Sequence, residues 1–499
     1  MRPDADTSAY AAAEDRFNRR RAAVGLFLGP AVFATLLALP MAGLPPSAHR
    51  LSAVLGLVIV FWITEAVPLP VTALAGPVLA ILLQVAPARE VFAPFADPII
   101  FLFMGSFMLA QAMYVHGLDR RVAFQALSLR WVGRSPVRVI VMFGAVSTVL
   151  SMWLSNTATA AMLFPIALSI VGQASGATGG FALALMLITA FGASVGGMAT
   201  PVGTPPNLIG LALLERATAI HVSFAGWMLI GVPLSALMFA FMALYFRRVC
   251  LRAGGPALAG AGLAAEELRK LGPLSRGQRN VLAAFGLTVL LWIAPGLFTL
   301  AGGQEWLARA FAASVPEAVA AMIGALLLFV LPVDRGARRF TLSWEDAAAI
   351  DWGIILLFGG GLSLGGMTFS TGLAEAIGRG VLAWTPAHTT LVLTMVFTGL
   401  SIVLTETTSN TASATMVVPV AIAVAQAAGA SPVQPALGAT LGASMAFMLP
   451  VSTPPNAIVY SSGRVPITAM IRHGAVIDLV GFAAVVGLVM ALGDLVAGR

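Results

Sequence analysis

SNTATAAMLFPIA, residues 155–167, returns as SNTASATMVVPVA at residues 409–421. Each copy sets three consecutive polar residues inside a long apolar run. Three more pairs keep the same order: DPIIFLFMG at 97–105 with DWGIILLFG at 351–359, HGL at 116–118 with TGL at 371–373, and TPPN at 204–207 with TPPN at 453–456. The offsets run only from 249 to 255 residues. Chance could supply one such pair, but not four in register, so the chain reads as two copies of one unit.

Composition identifies the solvent of that unit. Of 499 residues, 59% are hydrophobic and 10% charged, and the mean hydropathy is +0.93. A soluble domain carries roughly 25% charged residues, so lipid must cover most of this surface. The 51 glycines and 30 prolines suit membrane helices that bend or break. The net charge of +7 does not point to nucleic acid, because the arginines sit in short clusters between apolar runs, as the positive-inside bias requires. A single cysteine, Cys250, excludes an intrachain disulfide. Beside Arg247, Arg248 and Arg252 it reads as an inert thiol facing the cytoplasm. The first apolar run follows an arginine-rich stretch (RFNRRR, 16–21) and continues into the fold, so it reads as a retained first span rather than a cleaved signal.

A bilayer core needs about 20 apolar residues per helix. Eleven runs qualify, near 24–43, 51–69, 71–86, 97–116, 181–214, 225–247, 278–298, 315–333, 351–371, 434–463 and 473–493. Two others, 137–172 and 388–426, are long but have polar centres. Arginine clusters at 16–21, 120–138, 247–279, 335–339 and 464–472 all fall on one side only if each interrupted stretch returns to the side it entered. The expectation is an all-α polytopic membrane protein of about 11 transmembrane helices plus two re-entrant hairpins. A cytoplasmic N-terminal tail (1–23) and a first span (24–48) precede repeat 1 (49–250), which holds an inward-opening hairpin at 137–172. A cytoplasmic connection (251–277) leads to repeat 2 (278–499), with an outward-opening hairpin at 388–426. The segment 118–134 reads as an interfacial amphipathic helix. Five spans per repeat is an odd number, so the repeats must be inverted, with the N-terminus cytoplasmic and the C-terminus periplasmic. Inverted repeats carry their substrate site at the repeat interface near mid-membrane, built from broken helices.

The polar centres carry the chemistry. Ser155, Asn156 and Thr157, and Ser409, Asn410 and Thr411, are costly in hydrocarbon unless they pair with something. Their hydroxyls and amides can donate to carboxylate or sulfate oxygens, or coordinate a cation through oxygen. A helix starting at each hairpin tip would aim free N–H groups at an anion. One SNT alone could be polar glue between helices, but its duplication favours a site. TPPN breaks the fifth and tenth apolar runs, since proline removes a donor and frees carbonyls, and unwound carbonyls are the sodium ligands of such folds. No Lys or Arg lies within these segments, so a dianion held there needs co-bound cations. Glu65, Glu317 and Glu406 are the notable buried-looking acids. Glu65 and Glu317 are 252 residues apart and read as repeat mates, with a carboxylate hydrogen-bonded at a helix break as the favoured role. None of the five histidines lies near an SNT centre, which argues against a serine hydrolase, and no GxxxxGK[ST] suggests an ATP site. A channel would need a continuous polar path, and the polar centres lie only mid-membrane.

With WITEAVPLPVTAL at 62–74 and AFMLPVSTPPNAIV at 446–459, the paired SNT and TPPN motifs resemble the divalent anion:sodium symporter family over roughly residues 24–495. The resemblance implies a homodimer of protomers with scaffold and transport domains, the latter moving elevator-fashion in a bacterial inner membrane. It implies symport of sodium with dicarboxylates of the succinate, malate and fumarate class. Sodium-independent dicarboxylate exchange and sodium:sulfate symport are the alternatives. No cofactor is implied beyond Na+ as a co-transported ion. By position, the two SNT motifs with Thr204, Pro205, Thr453 and Pro454 would hold the substrate. Ser151, Ser155, Asn156 and the backbone near Gly203 would form the first sodium site. Thr405, the carbonyl of Thr408, Asn410 and the backbone near Ser452 would form the second. Thr408 and Ser452 stand where some members carry small apolar residues, a change that carbonyl coordination tolerates.

Overall fold

Apolar runs become helices in this protein, and the breaks fall at its polar and proline positions. The computed structural model describes residues 5–41, 43–132, 135–173, 179–250, 261–300, 305–334, 336–384 and 389–498. Arg134, Arg252, Arg335, Arg499, the first ten residues of the 251–277 connection and residue 388 of the second hairpin lie outside them.

The run at 181–214, expected as one span, is two helices, Gly179–Gly197 and Pro205–Thr218. The run at 434–463 is likewise Val433–Gly442 and Pro454–Tyr460, joined through a 3-10 turn at Pro450–Ser452. Both second helices begin on the prolines of TPPN, because proline fits the first helical turn but cannot continue a preceding one. The two interrupted stretches resolve into Pro136–Ser151 followed by Asn156–Gln173, and Thr390–Thr405 followed by Asn410–Ala427.

Among the described residues, nine helices are long and apolar enough to cross a membrane, or ten if the pair Trp306–Ser314 and Glu317–Val330, bent by 53°, is one span. The chain is an all-α multi-pass membrane protein. Of the eleven expected spans, 71–86 yields the shorter Leu69–Leu82 helix and 434–463 yields no single long one, whereas Asn410–Ala427 is long enough by itself. A two-stranded ribbon, Pro332–Asp334 with Arg339–Phe340, also departs from the all-helical expectation. The first helix, Ala5–Ala38, runs through the boundary expected at residue 23. Among the described residues of the expected interfacial helix at 118–134, Leu118–Leu127 is helical and packs on Ala261–Lys270. Arg121 is buried there, because its guanidinium finds Gln278 Oε1 at 2.8 Å and the carbonyls of Leu271 and Pro273 at 3.0 and 3.2 Å, partners worth more than the solvent it gives up.

Gly179–Gly197 is the centre of the larger apolar core, buried along nearly its whole length. Its Gly192 and Gly196 lie against the main chain of Pro136–Ser151, where a Cβ on Gly196 would collide with the Thr148 carbonyl. A smaller core joins Leu51, Val54, Val58 and Trp62 to Leu357 and Leu364. The repeats also exchange partners. The TPPN helix Pro205–Thr218 packs on Asn410–Ala427, and the TPPN helix Pro454–Tyr460 packs on Asn156–Gln173. Reciprocal exchange of this kind is what a two-fold relation between the halves produces.

Two ionic ties link distant segments. Arg216 meets Asp97 at 2.6 Å. Arg21 meets Glu65 at 2.8 Å and donates to the Thr407 carbonyl at 3.1 Å. Glu65 is therefore not the buried acid expected from the sequence: its side chain is 46% exposed and it ends the Pro46–Thr64 helix with positive φ. Glu317 does sit at a helix break, where its carboxylate accepts from the Phe224 N–H at 2.5 Å.

Candidate functional site

Each SNT opens a helix. Ser155 Oγ accepts from the Ala158 N–H at 3.1 Å, and Ser409 Oγ accepts from the Ala412 N–H at 3.2 Å, the usual serine N-cap. The N–H groups of the residues just inside each cap have no partner within the helix and are available to an anion. Behind each tip the same bond recurs. Ser151 Oγ donates to Asn156 Oδ1 at 2.7 Å, and Thr405 Oγ1 donates to Asn410 Oδ1 at 2.7 Å. With its carbonyl oxygen engaged, each amide turns its N–H groups to other acceptors.

The two tips line one cavity of about 410 Å³. All ten residues expected to hold substrate line it: Ser155, Asn156, Thr157, Thr204 and Pro205 from one repeat, and Ser409, Asn410, Thr411, Thr453 and Pro454 from the other. Gly203 and Ser452 line it too. Ser151, Thr405 and Thr408 do not. They lie beneath its wall, 0%, 0% and 3% exposed, and the first two reach it through the asparagine oxygens. Asp351 is the one charged side chain among the described lining residues. Trp153, Phe107 and Ile354, which the sequence reading left unassigned, supply apolar wall.

Oxygen atoms converge around the first tip. A Cβ on Gly203 would stand 2.5 Å from the Gly197 carbonyl and 3.0 Å from the Met152 carbonyl, and one on Gly197 would collide with Asn156 Oδ1. Only glycine leaves that space to the oxygens, an all-oxygen neutral set of the kind hard cations take. At the second tip, Thr408 Oγ1 donates to the Leu404 carbonyl at 2.9 Å and pairs with Ser413 Oγ at 2.7 Å. Ser452 Oγ turns to Glu406, 2.6 Å from Oε2. Both hydroxyls are engaged elsewhere, which leaves their carbonyls as the groups to offer.

Two residues inside the quoted motifs had no role assigned. Asn207 Nδ2 bridges the carbonyls of Gly197 and Thr200 at 2.9 and 2.8 Å, and Asn456 Nδ2 bridges those of Ala446 and Leu449 at 3.0 Å each. The fourth letter of TPPN thus ties each unwound segment to the helix that follows it. Glu406, 3% exposed, answers the break in the second repeat. Its Oε1 accepts from the N–H groups of Phe447 and Met448 at 2.8 and 2.9 Å, and its Oε2 from that of Leu449 at 3.1 Å.

Comparison with known proteins agrees with this architecture. The family model of the sodium:sulfate symporter transmembrane region matches residues 20–498. A sodium-dependent dicarboxylate transporter, SdcS, of Staphylococcus saprophyticus is 33% identical over 481 residues, covering 94% of this chain and 91% of the relative. The protein of the same name from Staphylococcus aureus strain USA300 is 32% identical over 489 residues, covering 95% and 92%. Among solved structures, the YdaH transporter of Alcanivorax borkumensis aligns with a TM-score of 0.57 at 16% identity, over 95% of this chain and 98% of that one. MtrF of Neisseria gonorrhoeae aligns at 0.53 and 14% identity, over 91% and 96%. At that identity the two structures speak to the fold alone.

Proposed function

The chain belongs to the sodium:sulfate symporter family, and from that premise we propose that it is a sodium-coupled symporter of small dicarboxylates of the succinate, malate and fumarate class. The observation that carries the reading is the cavity. It is built from both SNT tips, and no lining residue among those described is basic. Hydroxyls, amides and helix N-termini bind carboxylate oxygens, one carboxylate to each tip. Two negative charges in such a wall repel each other and the Asp351 carboxylate unless cations enter with them. Sodium takes the oxygen sets behind the tips: Ser151, Ser155, Asn156 and the carbonyls near Gly203, then Thr405, Asn410 and the carbonyls of Thr408 and Ser452. Relatives named as sodium-dependent dicarboxylate transporters support the same pairing of ion and substrate.

The surrounding arrangement is part of the proposal. A homodimer holds two scaffold domains still in a bacterial inner membrane. The SNT and TPPN helices of each protomer travel together as the moving body. The N-terminus is cytoplasmic and the C-terminus periplasmic. Single cysteines at positions 2 and 498 are then expected to react with an impermeant maleimide from opposite sides of the membrane. Labelling of both from one side would overturn the inverted arrangement.

The direct test is uptake of labelled succinate into proteoliposomes, with malate, citrate, 2-oxoglutarate and sulfate as competitors, with and without sodium. Sodium-dependent uptake displaced by dicarboxylates is the expected result. Displacement by sulfate alone would make the protein a sulfate symporter. Sodium-indifferent uptake accelerated by internal dicarboxylate would make it an exchanger. Within this scheme Ser151→Ala removes one hydroxyl from the first sodium shell. Loss of a single neutral contact of about 1 kcal/mol is expected to raise the sodium concentration for half-maximal uptake about fivefold, with the ranking of substrates unchanged.

A further inference from the structure

The second SNT tip is held from outside its own repeat. The helix Ala5–Ala38 precedes both copies of the repeated motifs and packs on Pro46–Thr64. Arg21, Gly25 and Gly29 follow one another at intervals of four residues, on one face of it. Cβ atoms on Gly25 and Gly29 would collide with Thr64 and Phe61. The two backbones close on each other there, as small residues allow, and Arg21 is carried to the end of Pro46–Thr64 by a rigid pair. Glu65 ends that helix in the left-handed conformation, φ 48°, where glycine is the usual residue. Its carboxylate meets Nη2 of Arg21 at 2.8 Å. Nη1 of the same guanidinium donates to the Thr407 carbonyl at 3.1 Å.

Thr407 stands in the turn between the hairpin arm Thr390–Thr405 and the SNT helix Asn410–Ala427. Carbonyls at and just past a helix end lack an intrahelical partner, and a guanidinium placed there also suits the helix dipole. The arm itself packs on Val433–Gly442 and Ile467–Val496, so the first helix holds it at its tip. Farther along, an apolar cavity of about 460 Å³ separates Pro46–Thr64 from the SNT helix, with Leu55, Ile59 and Trp62 on one wall and Met416, Pro419 and Val420 on the other. Surfaces that meet across such a gap are not locked by close packing, which makes the Arg21 contact a fastening that can be undone.

Repeat 1 fastens its tip at the same position. The offset of 254 residues that relates Ser151 to Thr405 and Asn156 to Asn410 relates Trp153 to Thr407. The Trp153 ring stands edge-on to Phe285 of the helix Arg276–Leu300, with centroids 5.2 Å apart. Each tip thus rests on a helix outside the SNT and TPPN set, one through an apolar ring and the other through a charge. The charged contact also has a side. Glu65 comes four residues before Leu69, and Leu69, Pro70, Asp351 and Gly353 line the cavity between the tips. The cavity therefore reaches the end of the molecule at which the Arg21–Glu65 pair stands.

We propose that Arg21 is a latch: held by Glu65, it docks the second SNT tip and stabilises the state in which the cavity opens toward the Arg21 side. It is a positioning residue acting through Thr407, and its role rests on the moving-body reading above, since tip and first helix must part when that body crosses. The test places spin labels at Phe27→Cys and Val403→Cys, both exposed on their helices, in full-length protein that also carries Cys250→Ser. Pulsed electron resonance in lipid nanodiscs then reads the distance between the first helix and the hairpin arm. Two distances are expected, with the docked one dominant. Arg21→Gln is expected to lower the ratio of docked to undocked protein about tenfold, as loss of a charge-assisted hydrogen bond does. Glu65→Gln breaks an ion pair whose acid is half-exposed but leaves the donation to Thr407, and is expected to lower the ratio less than about threefold. Monodisperse elution of each variant verifies its fold. Equal effects of the two variants would reduce the pair to a tie between the first two helices and overturn the latch. Two distances whose ratio ignores Arg21 would overturn the latch alone and leave the moving body standing. A single distance in wild type and both variants would overturn the latch and the moving-body reading together.

Discussion

Asn156→Ala and Asn410→Ala are each expected to reduce sodium-driven succinate uptake about a hundredfold, the loss of a donor to a charged ligand and of a cation-facing oxygen together. Each asparagine serves two partners. Its Oδ1 is held by Ser151 or Thr405, and the residue itself lines the shared cavity. Alanine removes both functions; Ser151 loses its acceptor, whereas the Thr405 hydroxyl keeps the Ala443 carbonyl at 2.7 Å. The fold should survive, because neither asparagine is part of the apolar cores. Size-exclusion chromatography separates a folded, transport-dead variant from a misfolded one. Near wild-type uptake by either variant would reduce that SNT to polar glue between helices.

Replacing sodium by potassium or choline is expected to weaken succinate binding to purified protein at least about tenfold, about 1.4 kcal/mol. Among the described residues the cavity offers a dianion no basic side chain and one acid, so the missing positive charge must come from the medium. Linkage makes the effect reciprocal: succinate should tighten sodium binding by the same factor. Calorimetric titration in both orders checks this. Succinate affinity that is unchanged in choline would remove the electrostatic basis for symport.

Much of this was legible because the chain states it twice. SNT and TPPN announced themselves by recurring at matched offsets, and all ten substrate residues expected from them meet in one cavity. Hydropathy was a poorer guide. It ran 181–214 and 434–463 together as spans although TPPN lay inside each, because apolar side chains continue across a backbone break that proline alone reveals. Glu65 and Glu317 looked like mates by spacing, yet one is a half-exposed ion-pair partner of Arg21 and the other accepts a backbone N–H. Long-range pairings left no local trace. Nothing near Arg21 in sequence names Glu65 or Thr407. The exchange of TPPN helices between repeats is likewise a contact between segments about 200 and about 300 residues apart, which periodicity does not encode.

The near-absence of fixed charge around the cavity has an electrical consequence. If the tips and their contents cross the membrane as one body, the charge they carry is set by cargo rather than by protein. Two sodium ions with one dianion make a neutral load, on which the membrane potential does no work. Each further sodium adds one elementary charge, worth about 2.3 kcal/mol per 100 mV. The current that accompanies uptake therefore counts the ions directly, and the steepness with which accumulation follows the membrane potential reports how many sodium ions the cavity admits beyond the pair that neutralises its substrate.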